Sequence, residues 1–60
     1  MSEIKGRVTQ ILGNVVDVEF PDELPEIFDA VRIPREGQDD LILEVEMHLG
    51  DKAVRTVAMD

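Results

Sequence analysis

LILEVEMHLGDKAVRTVAMD, residues 41–60, decides the fold. Leu41, Leu43, Val45, Met47 and Leu49 fall on one side of an extended chain, and Ile42, Glu44, Glu46 and His48 on the other. A period of two describes a half-buried strand, because successive side chains point to opposite faces. Wound as a helix, the same apolar residues would scatter around the cylinder instead of forming a stripe. Gly50-Asp51 reads as a tight turn, and the β-branched run from Ala53 to Met59 as a returning strand. This hairpin is the longest apolar-bearing feature of the chain, so the other strands are expected to build on it.

Working outward, Ile4, Gly6 and Val8 alternate with Lys5, Arg7 and Thr9, and the apolar phase then slips at Ile11-Leu12 past the polar Gln10. Such a slip predicts a bulge, which bends a strand as closure of a small barrel demands. Gly6 inside this strand marks either local curvature, the favoured reading, or close approach of a neighbour. Gly13-Asn14 is a turn, and Val16, Val18 and Phe20 alternate with Asp17 and Glu19 in a second strand. Pro21 ends it. The segment PDELPEIFD, residues 21–29, is turn-like, with Pro25 placed to start a short helical turn at Glu26. Leu24, Ile27 and Phe28 are expected to cap one end of the core. Ala30 to Pro34 reads as a third strand with Val31 and Ile33 in phase, and residues 35–40 as a polar loop. The fold class is therefore all-β: a small Greek-key-like barrel of about five strands, one domain over residues 1–60. The most buried residues should be Val16, Val18, Leu43, Val45 and Met47, with Met59 also core filler and Glu19, Glu44 and Glu46 exposed.

Composition narrows the functions. With 60 residues, a chain buries only about 60% of its unfolded surface, so stability is marginal. Cysteine is absent, so neither a disulfide nor a thiolate metal site adds to it. Fourteen acidic against six basic residues, net −8, argue against a nucleic-acid partner, whose phosphates would be repelled. The two Phe, with no Trp or Tyr, offer no stacking platform for single strands. Acidity on this scale reads first as solubility, with an acidic binding surface as the alternative. No apolar run nears the roughly 20 residues of a membrane-spanning helix, and the start MSEIKGRV has no leader-like pattern, so a cytoplasmic chain without direct membrane insertion is expected.

Chemistry-bearing patterns are missing. There is neither GxxxxGK[ST] nor GxGxxG. Asp22, Glu23, Glu26 and Asp29 lack the ordered spacing of a calcium loop. Glu44 and Glu46 share a polar strand face with His48, which reads as a surface or interface histidine without a nucleophile to serve. No catalytic, cofactor-binding or metal-ligating residue is assigned.

Three segments add a resemblance. GNVVDVEF is similar to the GPVVDVxF signature of the catalytic β subunit of rotary ATP synthases, LPEIFDAV to that subunit's next segment, and LEVEMHLGDKAVRTVAMD to its LEVxxHLGxxxVRxIAMD stretch. They occur in the family's order across nearly the whole chain; Asn14 departs from the usual Pro, and both suit a turn. The sister α subunit lacks the LEVxxHLG wording. The resemblance implies the N-terminal crown domain, a structural module that joins α subunits of the same ring in an alternating hexamer. The parent complex makes ATP from ADP and phosphate with a proton gradient, using ATP/ADP and magnesium, on the cytoplasmic face of the membrane. In the family a sixth barrel strand and the nucleotide-binding domain follow, so this chain is expected to be no enzyme by itself. With that strand lacking, the run Ala53, Val54, Arg55, Thr56, Val57, Ala58 and Met59 is expected to be an open edge at which copies self-associate into a homo-oligomer. Two other readings stay open: an engineered or ancestral-style miniature barrel that self-associates with no activity, and a free-standing ligand-binding barrel.

Overall fold

The computed structural model describes residues 5–59. Five strands follow in order: β1 (Arg7–Leu12), β2 (Val15–Glu19), β3 (Ala30–Ile33), β4 (Leu41–Gly50) and β5 (Ala53–Ala58). All pair antiparallel in one sheet of order β1-β2-β5-β4-β3, curled into a half-barrel. β3, β4 and β5 are consecutive neighbours, and residues 20–29 carry the chain from β2, which lies beside β5, across to β3. That is a Greek-key order.

The expected bulge in the first strand lies at Thr9, where the β1–β2 register shifts between Val8 and Gln10. Its displaced residue is not idle, since the Thr9 hydroxyl donates to the Asp17 carbonyl at 3.3 Å. Ile4 lies outside the described residues. Gly6 precedes β1, and the neighbour-approach reading is the right one: a Cβ there would stand 2.7 Å from the Phe20 ring and 2.8 Å from the Glu19 carbonyl oxygen.

Alternation in β4 is broken twice, between Val45 and Met47 and between His48 and Gly50. The first bulge, at Glu46, reverses the phase. Leu43 and Val45 are wholly buried, but Met47 turns to the outer face beside Arg55 and is 48% exposed, against its expected place in the core. Met59 is likewise exposed. The second bulge moves the turn one residue on, to Asp51-Lys52 with φ of 52° and 66°. Positive φ at both central positions matches the right-handed twist of hairpin strands.

The core is Val16, Val18, Phe20, Leu43, Val45 and Val54, with Leu24, Val31, Ile33, Leu41 and Ala58 packed around it. Burial of each such side chain is worth about 1.5–3 kcal/mol before chain entropy is set against it. Thr56 shares the inner face because its hydroxyl donates to the Val16 carbonyl at 2.7 Å, satisfying a polar group that would otherwise be costly there. Glu46 is exposed, whereas Glu19 and Glu44 are half-buried.

Residues 21–29 form no helical turn. Glu26 N donates to the Asp29 carboxylate at 2.9 Å and Asp29 N to the Glu26 carbonyl at 3.0 Å. This local turn throws Ile27 and Phe28 outward, and Phe28 is 72% exposed with φ 74°. The core end is covered by Leu24 and the buried Pro25 instead.

Candidate functional site

Where the sheet ends decides what the molecule offers to partners. The run Ala53 to Met59 was expected to be an open edge, and it is not one. β5 is the middle strand, paired to β2 from Val15↔Val57 to Glu19↔Ala53 and to β4 from Leu43↔Ala58 to Gly50↔Ala53. Met59 N adds a bond to the Ile42 carbonyl at 2.9 Å. An antiparallel return from β4 could lie on β5 from one side only, and the Greek-key crossover delivers β2 to the other. Among the described residues the edges are β1 and β3.

Those two edges face one another. Gly6 just before β1, Val8 of β1, Val31 and Ile33 of β3, and Val18 and Phe20 behind them line one cleft of about 300 Å³. Val8 is 40% exposed, and Ile11, on the inner face opposite Val16, is 67% exposed. Apolar positions that point inward yet stay wet mark the side on which the barrel is open.

On the outer face one ion pair is built with care. Arg55 Nε donates to Asp17 Oδ1 at 3.0 Å and Nη2 to Oδ2 at 3.1 Å, a bidentate bridge between the paired positions of β2 and β5. The hydrogen bond from Arg55, helped by its charge, holds the Asp17 carboxyl below the usual aspartate range despite the opposing effect of burial. Asp17 was read only as a polar alternate; the pairing was hidden because it needs the β2–β5 register. Arg7 reaches Glu19 at 2.9 Å farther along the same face, and this pair is well exposed.

Glu44 and Glu46 were expected merely to face water. The hydrogen-bonding influence of the neighbouring Glu44 carboxyl, with some burial and the like charge, pushes Glu46 above the ordinary glutamate range. Nothing further converges on them: among the described residues no group of three or more His, Asp or Glu is placed to hold a metal. His48 donates from Nε2 to the Pro25 carbonyl at 2.8 Å, a carbonyl being able only to accept. It therefore ties the 20–29 segment to β4. No helix among the described residues is long and apolar enough to cross a membrane.

The sequence over residues 8–60 matches a family model, that of the ATP synthase alpha/beta family, beta-barrel domain. The chain belongs to the ATP synthase alpha/beta family. Within that family the matched part is the structural barrel module, and all five strands but the first residue of β1 fall inside it. Residues assigned to family membership by their wording, such as Val16 and Val18 or Leu43 and Val45, prove to be core residues of the barrel.

Proposed function

We propose that this chain is the crown domain of the catalytic β subunit in a rotary ATP synthase, and that its task is mechanical. The β-subunit reading is supported by the wording of residues 43–60, LEVEMHLGDKAVRTVAMD, which the sister α subunit lacks. A module of antiparallel strands with a bidentate tie across its centre makes a stiff collar, set between α subunits of the ring. Charge on its outer face fixes register with neighbours more than it adds affinity. In this reading ATP, ADP and magnesium are held by other domains of the parent subunit, and the complex lies on the cytoplasmic face of an energy-coupling membrane.

The test offers the purified chain to α subunits. Stoichiometric co-elution, lost when Arg55 and Asp17 are both replaced by alanine, is the expected result. Elution of the chain alone at every concentration, under conditions in which a complete β subunit associates, would count against the collar role. A second reading is a miniature barrel that self-associates without activity of its own. Its support is the pair of open edges, and it relocates the contact from Ala53–Met59 to β1 or β3. Sedimentation of the chain by itself separates the two.

A further inference from the structure

The chain has no cysteine, tryptophan or tyrosine, so methionine sulfur is its most readily oxidised side-chain atom. One of the three methionines has an unusual seat. The bulge at Glu46 takes Met47 out of the core, where strict alternation would have kept it, and leaves it 48% exposed on the outer face of the sheet. A sulfoxide made at a core methionine forces a polar oxygen among apolar neighbours. At Met47 that loss does not follow, because the core closes without it.

Opposite Met47 stands Arg55, its cross-strand partner on β5. Paired positions bring Cβ atoms about 4.5–5.5 Å apart, within reach of two long side chains. The guanidinium is anchored by its Nε and Nη2 bonds to Asp17, and its side chain stays 45% exposed. A guanidinium has further donors, and those on Nη1 take no part in the Asp17 bridge. A thioether is a weak acceptor and offers them little, whereas a sulfoxide oxygen is a polar one. β2, β5 and β4 are paired to one another throughout this region, so the arrangement owes nothing to the open side of the sheet.

We propose that Met47 is a site of oxidation by hydroperoxides, and that its sulfoxide is received by the Arg55 guanidinium. A sulfur lone pair attacks the outer oxygen of the peroxide, and the S–O bond forms as the O–O bond breaks. The proton on the transferred oxygen passes to the departing one, which leaves as water or an alcohol. Sulfur gives up two electrons and the peroxide takes them. The new oxygen accepts from Arg55 while Asp17 keeps its two bonds, so a tie between β2 and β5 extends to β4. This rests on the faces of those strands and is independent of the collar reading.

The experiment treats the folded chain with hydrogen peroxide, locates the added oxygen by peptide mass mapping, and follows melting before and after. Oxygen on Met47 is expected, with the melting midpoint raised by about 2–4 °C, the scale of one added hydrogen bond in a small domain. Met47→Leu, treated in the same way, should show no rise. Arg55→Ala should still take up oxygen at Met47 but show no rise, each variant being compared with itself so that loss of the Asp17 bridge cancels. In the unsubstituted chain the Arg55 guanidinium N–H resonances should shift on oxidation, a readout that needs no variant to fold. A Met47 that stays reduced, a midpoint that is level or falls, a rise that persists in either variant, or unmoved guanidinium resonances overturns the proposal.

Discussion

Lys52 occupies a backbone position that suits glycine: at φ 66° its Cβ crowds the chain, and nothing in the sequence around it announces that conformation. Relieving such strain in an exposed turn is worth about 1 kcal/mol. Lys52→Gly should raise the melting midpoint by about 4–8 °C for a domain this small, read by circular dichroism. Gly6 works the other way. Gly6→Ala must displace the Phe20 ring or the Glu19 backbone and should cost about 1–3 kcal/mol, as overpacking does. Two carboxylates should leave opposite marks on the pH profile. Asp17, held below its ordinary value of about 3.9, contributes stability that is complete above that pH and lost as pH falls through its lower folded value. Glu46, raised above about 4.3, does the reverse: the folded state holds its proton longer, so stability falls as pH rises through the raised value. Near neutral pH, Asp17→Asn should therefore melt below the parent and Glu46→Gln above it. Both differences should narrow in acid below the ordinary carboxylate range. An Asp17→Asn chain that matched the parent at pH 7 would show the Arg55 bridge to be idle.

β4 shows what an element's sequence can and cannot disclose. Its period of two identified a strand, and Leu43 and Val45 were placed correctly in the core. Met47 was not, because the bulge at Glu46 leaves no residue signature, such as a glycine or a polar break in the apolar row. In β1 the slip past Gln10 did supply that break, and the bulge was foreseen. The reversal gives a paired test. Val45→Asp buries a charge among Val54, Thr56 and Leu43, and the several kcal/mol it costs exceeds what a 60-residue domain can spare, so cooperative melting should vanish. Met47→Asp, two residues on, should melt within about 0.5 kcal/mol of the parent, as exposed substitutions do. If both variants unfold, the bulge is misplaced. Which strand sits beside which was beyond reach of the periodicity: Ala53 to Met59 alternates the same way at an edge or in the middle.

At the scale of the molecule, the open side of the sheet among the described residues and the acidity of the chain are the governing facts. The described residues form no helix whose N-terminus could cradle phosphate and no carboxylate group for a metal. Calorimetry with ATP and magnesium on an ATPase-free preparation should show no saturable heat; micromolar binding would overturn this. At net −8 two copies repel across solution, so any self-association should strengthen with added salt. The central seat of β5 has a consequence for how the molecule comes into being. β1–β2 and β3–β4 can each meet as a local pair, but both finish their ladders on a strand that is made last of the five. Each half alone is a two-stranded ribbon, marginal in water. A growing chain on the ribosome, adding about 5–20 residues per second, thus stays protease-sensitive until β5 clears the exit tunnel, then gains its whole sheet in one cooperative step.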